Sequence, residues 1–157
     1  MIKRSVEEII KEYGDMVFKI ALHHVEYHQA QDIVQEVMFK YVKRMIGFHT
    51  IEHEKAWIIR VTINQCKDYH KKWWNKNRDE IDYDNIIIPD NHETYALLDI
   101  IKDLPFQYKN TLYLYYYEGM SIKEIAKIQN VKESTVNSWL YRGREKLKKL
   151  LEEDCDG

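Results

Sequence analysis

The amino-acid sequence predicts an all-α protein of two small helical domains, joined by a flexible acidic linker and ending in a helix-turn-helix. Apolar residues recur at three- and four-residue steps along most of the 157 residues, and the only β-like run is at 86–88. A strongly acidic stretch interrupts this pattern. We therefore predict a first domain at residues 1–75, a linker at 76–92 and a second domain at 93–157.

The first two helices are predicted from the spacing of their apolar side chains. The first helix runs from about Val6 to His24, with apolar surface from Ile9, Ile10, Tyr13, Val17, Ile20, Ala21 and Leu22. The second has the most regular repeat in the chain, formed by Ile33, Val34, Val37, Met38, Tyr41, Val42 and Met45, and Gly47 is expected to end it. Its other side presents Asp32, Gln35, Glu36, Lys40 and Lys43.

The third helix, from about Glu52 to Trp74, is predicted to have a packing face and a cationic face. The packing face consists of Trp57, Ile58, Val61, Gln65 and Tyr69. The other face carries Arg60, Asn64, Lys67 and Lys71 at spacings of four, three and four. Asparagine is a poor helix former, and pairing of its amide with an exposed base edge would explain its interior position.

The end of this helix places basic residues beside Trp73 and Trp74. Cations interleaved with aromatic rings suit a single nucleic-acid strand, which is held by phosphate attraction and base stacking. Packing of each tryptophan within the protein is an equally favoured alternative.

Charge is segregated along the chain. The net charge is −2, yet residues 60–78 and residues 121–151 each carry a net charge of +5, and residues 79–103 between them carry −7. Two basic modules separated by an acidic connector are expected of a protein that contacts nucleic acid at two places. Solvated helix faces on a neutral protein are the alternative explanation for either patch alone.

Residues 121–151 predict two helices joined by a tight turn. Ser121 and Glu124 form a capping box, so the first of these helices begins at Ile122. Its buried side is Ile125, Ala126 and Ile128. Asn130 tolerates the left-handed backbone that reverses the chain.

The second helix of this pair begins at about Glu133. Its apolar stripe is Val136, Leu140, Leu147, Leu150 and Leu151. The side chains that face away are Ser134, Asn137, Ser138, Tyr141 and Arg142. These residue types reach base edges and phosphates from a helix that lies in a major groove.

Two blocks of the sequence resemble bacterial extracytoplasmic-function sigma factors of the sigma-70 family. The run DIVQEVMFKYVKRM at 32–45 with FHTIEHEKAWIIRVTINQCKDYHKKWW at 48–74 resembles region 2. The run LPFQYKNTLYLYYYEGMSIKEIAKIQNVKESTVNSWLYRGREKLKKLL at 104–151 resembles region 4. The order of the blocks and the short linker are typical of this group. The resemblance implies a transcription initiation factor for which RNA polymerase supplies the catalysis.

The resemblance also implies a role for each surface. Docking on the clamp helices of the polymerase β′ subunit falls on Asp32, Gln35 and Glu36. Engagement of the melted non-template strand of the −10 element falls on Arg60, Asn64, Lys67 and Lys71, with the loop from Phe48 to His53 as a pocket for an unstacked base. Reading of the −35 duplex falls on Ser134, Thr135, Asn137, Ser138 and Arg142, with phosphate contacts from Arg144 and Lys148.

Three residues depart from the family pattern. Lys132 stands where a Ser or Thr cap is usual, Asn137 where a basic residue is common, and Trp139 where arginine is usual. Since asparagine favours adenine and arginine favours guanine, the base preference is left open, whereas DNA binding is still expected.

Two further segments are given partners only by the resemblance. Some of the five tyrosines at 106–118 must face outward, and the resemblance implies contact with the polymerase β flap or with an anti-sigma factor. The acidic linker would pass near the polymerase active-site cleft, and a plain flexible tether is the alternative.

Two functions from other classes are weaker alternatives. A regulator that binds a palindromic operator as a dimer would leave the cationic third helix unexplained. A metal enzyme would use His23, His24, His28, His49 and His53. His24 and His28 are one helical turn apart, but no H-E-x-x-H motif or cysteine pair accompanies them.

We expect no catalytic residue, cofactor or metal, because the sequence has no phosphate-binding glycine loop and no nucleophile motif. There is no apolar run long enough to span a bilayer and no signal peptide. Cys66 and Cys155 are isolated from each other in sequence, so we expect reduced thiols in the cytoplasm.

Overall fold

The computed structural model describes residues 1–76 and 101–156, and its contacts divide the chain into two compact units, residues 1–88 and 89–157. Regular structure in the described residues is helical, apart from an isolated antiparallel bridge between Ile2 and Phe48. The predicted all-α class is therefore confirmed. Of the linker predicted at 76–92, Lys76 is described and is the last residue of the third helix. The rest of that prediction and the side chains of Trp73 and Trp74 lie outside the described part of the chain.

The first unit packs three helices around one apolar core: α1 (Val6–Leu22), α2 (Tyr27–Lys43) and α3 (Ile51–Lys76). The hydroxyl of Ser5 caps α1 by accepting a hydrogen bond from the Glu8 amide at 3.3 Å. The core lies between the three helices and includes Ile9, Val17, Ile20, Ile33, Val37, Ile58 and Ile59.

Part of the predicted packing of α1 and α2 is wrong. Ile10 is exposed, because its position on α1 faces away from the core. Helix α2 ends at Lys43, four residues before Gly47, since Arg44 leaves the helix with an extended backbone. Met45 therefore lies outside α2 and is 91% exposed.

The buried face of α3 is also rotated from the predicted one. The buried residues are Glu54, Ile58, Ile59, Thr62, Ile63 and Cys66, whereas Trp57, Val61, Gln65 and Tyr69 are only half-buried. Two polar side chains enter this core because each has a hydrogen-bond partner there. The Thr62 hydroxyl donates to the Ile58 carbonyl at 2.7 Å, and Glu54 is paired with Arg4.

The Arg4–Glu54 pair joins the N-terminal segment to α3. The Glu54 carboxylate is 0% exposed and accepts hydrogen bonds from Arg4 Nη2 and, at 3.0 Å, from Arg4 Nε. The Tyr41 hydroxyl donates to the second carboxylate oxygen at 2.9 Å and accepts from the Arg4 amide at 3.0 Å. The hydrogen bond to Glu54 raises the pKa of Arg4, and burial raises the pKa of Tyr41. The cation and the neutral hydroxyl therefore both persist at neutral pH.

The second unit contains α4 (Phe106–Leu112), a π-helical turn (Tyr113–Tyr117), α5 (Ile122–Gln129) and α6 (Glu133–Asp156). Its core includes Leu104, Tyr108, Leu114, Met120, Ile125, Ile128, Val136 and Leu140. The apolar stripe predicted for α6 is buried only in its first half. Leu147 and Leu150 are half-buried and Leu151 is exposed, because helices of seven and eight residues cannot cover a helix of 24.

We predict that Arg4→Met lowers the free energy of unfolding by about 3 kcal/mol, because the variant leaves the Glu54 carboxylate buried without its cation. Urea unfolding followed by circular dichroism measures this. The matched control is Lys19→Met, which removes an exposed i,i+4 pair with Asp15 at 2.9 Å. We expect the control to cost less than about 0.5 kcal/mol. Equal effects of the two substitutions would contradict the assigned role of Arg4.

Candidate nucleic-acid interface

The turn between α5 and α6 has the geometry that its sequence predicts. The Ser121 hydroxyl accepts from the Glu124 amide at 3.1 Å, and the Glu124 carboxylate accepts from the Ser121 amide at 3.3 Å, which completes the capping box. Asn130 ends α5 in the left-handed conformation, at φ 55° and ψ 50°. The Val131 amide then donates to the Ala126 carbonyl at 3.0 Å. The predicted helix start, capping box and left-handed end are confirmed.

Helix α6 is held against α4 and α5 along one face. Val136 and Leu140 are buried. One turn further on, Gly143 lies so close to α4 that an added Cβ would stand 3.2 Å from Leu112 Cδ1 and 3.3 Å from Tyr108 Cβ. This contact fixes which side of α6 faces solvent, since a larger residue at position 143 would push the two helices apart.

The residues predicted to read duplex DNA lie on the solvent-facing side of α6. Ser134, Asn137, Ser138, Arg142 and Arg144 are exposed, and Thr135 is half-buried. The structure therefore brings the six residues together on one helix. Helix α6 starts without its usual hydroxyl cap: Lys132 supplies only its carbonyl oxygen, which accepts from the amides of Thr135 and Val136 at 3.0 and 3.2 Å.

A shallow basic groove lies beside the first turn of α6. It is lined by Lys123, Ala126, Lys127, Asn130, Val131, Lys132, Glu133 and Ser134. Three lysines and one glutamate contribute to this lining, so the charge of the groove is net positive.

The sequence did not reveal a hydrogen bond that connects α6 to the tyrosine-rich segment. Arg144 Nη1 donates to the Tyr116 hydroxyl at 2.8 Å. Tyr116 is 58% exposed, and Tyr117 is exposed beside it. The number of tyrosines in this segment predicts that some rings face outward. Which rings do so depends on the π-helical turn, because it adds a residue to the helical repeat.

In the first unit, the cationic stripe predicted for α3 is exposed. Arg60, Asn64, Lys67 and Lys71 all lie at the surface. From Arg60 to Lys71 the stripe is about 16 Å long, at 1.5 Å per helical residue. Next to it, Lys40 Nζ donates to Gln65 Oε1 at 2.8 Å, which ties α2 to α3.

The loop before α3 differs from the predicted pocket. Phe48 is buried, stacked on Tyr41 with ring centroids 6.0 Å apart and packed on Trp57 at 5.6 Å. The Phe48 ring therefore anchors the loop to the core and does not line an open pocket. The exposed rings are His49 and His53, which stack on each other at 6.0 Å. The Thr50 hydroxyl accepts from the His53 amide at 3.0 Å and so caps α3.

The exposed side chains of α2 differ in type from those of the cationic stripe on α3. Asp32, Gln35 and Glu36 are exposed on it, as predicted. Phe39 and Val42 follow them toward the C-terminal end of α2, and both are exposed. Lys40 and Lys43 are exposed on α2 as well, and Lys43 Nζ lies 4.5 Å from the centroid of the Phe39 ring. The helix therefore presents carboxylates, ammonium groups and apolar area together, a mixture that suits a protein partner.

The described residues hold no group of three or more side chains that could bind a metal ion. His24 lies in the turn after α1 and His28 lies in α2, so the expected spacing of one helical turn is wrong. None of the described helices is both long enough and apolar enough to cross a bilayer.

Comparison with known proteins gives two family matches. The model of sigma-70 region 2 matches residues 9–75, and the model of sigma-70 region 4 matches residues 94–147. The chain is 29% identical to the ECF RNA polymerase sigma factor SigM of Bacillus subtilis, over 93% of this chain and 94% of SigM. It is 27% identical to RNA polymerase sigma factor SigZ of the same organism, over 96% and 89%.

Two solved structures have the same fold. The sigma factor RpoE of Bartonella quintana, crystallised with the anti-sigma factor NepR, gives a TM-score of 0.75 at 18% identity over 93% of this chain and 96% of that one. CnrH, solved in complex with the cytosolic domain of CnrY, gives 0.66 at 18% identity over 95% and 88%.

We predict that Asn130→Ala lowers the thermal stability of the second unit more than Asn130→Gly does. Both variants lose the amide, but only alanine has a Cβ that disfavours φ 55°, at a cost of about 1–2 kcal/mol. Thermal unfolding of the full chain, compared between the two variants, measures the difference. Equal melting temperatures would show that the left-handed turn does not depend on residue 130.

Proposed function

We propose that this chain, which belongs to the extracytoplasmic-function group of the sigma-70 family, binds core RNA polymerase and directs it to specific promoters. The family acts in transcription initiation. The observation that carries the proposal is the exposure of two cationic surfaces on separate units, α3 in the first and α6 in the second, together with the exposed carboxylates of Asp32 and Glu36 on α2.

The exposed face of α6 is suited to the −35 duplex. Its first turns carry short polar side chains, Ser134, Asn137 and Ser138, which can approach base edges in a major groove. Arg142 is one turn beyond Ser138 and can reach a further base edge, and Arg144 stands where its guanidinium group can bind a phosphate. Asn137 favours adenine, because its amide can pair bidentately with that base.

The exposed stripe of α3 is suited to a melted −10 strand. Unstacking a base costs a few kcal/mol, so the protein must supply compensating contacts. Arg60, Lys67 and Lys71 offer a track of positive charge for the backbone, and Asn64 between them offers an amide for a base edge. The loop from Arg44 to Thr50 lies directly before α3, and the stacked rings of His49 and His53 add aromatic faces.

The exposed face of α2 is suited to the polymerase itself. The carboxylates of Asp32 and Glu36 would repel DNA phosphates. This face therefore differs from the two nucleic-acid surfaces in the partner that it suits. The exposed Phe39 and Val42 supply apolar area that a protein interface can bury. We assign this face to the clamp helices of the β′ subunit.

The chain also has surface for further protein partners. Both similar solved structures are complexes, one with the anti-sigma factor NepR and one with the cytosolic domain of CnrY. By analogy we propose an anti-sigma partner for this chain. The exposed rings of Tyr116 and Tyr117 in the second unit are candidate contacts for such a partner or for the polymerase β flap.

We expect purified chain mixed with bacterial core polymerase to start transcription at defined sites on fragmented genomic DNA, because the chain would supply the promoter specificity that the core lacks. Sequencing of run-off transcripts identifies those sites. Transcripts that start at the same positions without the chain would contradict the proposal. So would binding of the chain alone to a palindromic duplex, which would favour a regulator that acts without polymerase.

Asn64→Ala is expected to weaken promoter opening about tenfold, as for a lost bidentate base contact, while the affinity for core polymerase is kept. Glu36→Arg, which reverses a charge on α2, should weaken binding to core polymerase, and promoter opening should fall only because less polymerase carries the chain. Permanganate footprinting measures opening, and competition against a labelled sigma factor measures core binding. If Asn64→Ala lost both activities equally, Asn64 would be a structural residue.

A further inference from the structure

The first four residues form a strap, Met1–Arg4, that is bound to the loop before α3. Ile2 and Phe48 make an antiparallel bridge: the Ile2 amide donates to the Phe48 carbonyl at 2.6 Å, and the Phe48 amide donates to the Ile2 carbonyl at 2.7 Å. Lys3 Nζ donates to the carbonyl of Arg44. The strap therefore bonds to backbone atoms of the loop at two residues, Arg44 and Phe48.

Gly47 allows this contact. A Cβ at residue 47 would lie 2.8 Å from the Ile2 carbonyl oxygen and 2.9 Å from Met1 Cβ. Both distances are shorter than the van der Waals separation of these atoms, and one of the two is to backbone. Any side chain at this position therefore forces the strap away from the loop.

The other end of the strap is fixed in the core. Arg4 pairs with the buried Glu54 in the first turns of α3 and with Glu12 on α1. Its amide also donates to the Tyr41 hydroxyl of α2. Because Arg4 contacts all three helices, the strap cannot shift without breaking a buried ion pair.

We infer that the strap is a positioning element for the melted −10 strand: it sets the shape of the loop from Arg44 to Thr50 and the start of α3. This inference rests on the proposed function and assigns a role to residues outside the proposed contacts. A loop of seven residues would otherwise sample many conformations, and ordering it upon binding would weaken the affinity. With the strap bound, the loop is already ordered before the strand arrives.

A strap with only a structural role would give a different experimental result. If the strap only covered the core, displacing it would lower the stability, the strand binding, the polymerase binding and the duplex binding together. A positioning strap affects one activity, the capture of single-stranded DNA, and leaves core binding by α2 and duplex binding by α6 unchanged.

The test compares Gly47→Ala with Gly14→Ala in the full chain assembled with core polymerase. A Cβ at Gly14 meets only Ile10 Cγ2, at an ordinary 3.5 Å, in the interior of α1. The probe is a fluorescent single strand that carries the −10 segment of a promoter found by run-off sequencing. We expect Gly47→Ala to bind it about tenfold more weakly, as for the loss of one or two loop hydrogen bonds. Gly14→Ala should bind as the natural chain does.

The outcomes separate the two proposals. If the natural chain with polymerase retains no strand, the proposed function fails. If it retains the strand and Gly47→Ala retains it equally well, the positioning role is overturned. Equal losses of strand, core and duplex binding by Gly47→Ala overturn it too, in favour of a structural strap.

A second measurement does not depend on the folding of a variant. In the natural chain, the Phe48 amide is bonded to the strap, so it should exchange with solvent deuterium at least about tenfold more slowly than a free amide. Exchange of Phe48 at the rate of an unprotected loop amide would show that the strap is not bound in solution.

Discussion

A buried carboxylate sets the main constraint on the first unit. Glu54 lies at the start of α3 without access to water, so it requires a cation and hydrogen-bond donors from the protein. Arg4 and Tyr41 provide them, and this brings the N-terminal segment across α1 and α2. The same segment then passes so close to residue 47 that a Cβ there would overlap it, and it forms backbone hydrogen bonds with Phe48 in the loop before α3.

In the second unit, the orientation of α6 depends on residues at its start and along its buried face. The orientation of α6 is fixed by the left-handed Asn130 before it and by the contact of Gly143 with α4, as the proposed reading of duplex DNA would require. With the backbone of α6 fixed, the remaining conformational freedom is that of its exposed side chains. Tyr116 limits that freedom for Arg144, because a hydrogen-bonded guanidinium has fewer orientations than one in open water. Thus the fold orders part of the cationic surface before any ligand is present.

The sequence was a good guide wherever neighbouring residues decide the structure. The capping box and the left-handed Asn130 depend on contacts within a few residues, and the exposed polar face of α6 follows from the helical spacing of its own residues. The errors involve distant partners. Glu54 is buried only because of Arg4, fifty residues away. Gly47 was interpreted as a helix end, but it is needed for close approach of the strap. The Tyr116–Arg144 bond was hidden because a π-helical turn does not follow the ordinary helical repeat.

The division of charge between the surfaces has a thermodynamic consequence. Each cationic face is a short stretch of one helix, which can contact only a few phosphates, so either unit alone should bind DNA weakly and with strong salt dependence. Under the proposed function, one polymerase would carry both faces. The second contact would then be intramolecular, and its effective concentration would raise the overall affinity without any new contact. A net charge of −2 opposes binding of the lone chain to arbitrary DNA. We therefore expect specificity mainly in the complete assembly, where weak contacts that are far apart in the sequence act together.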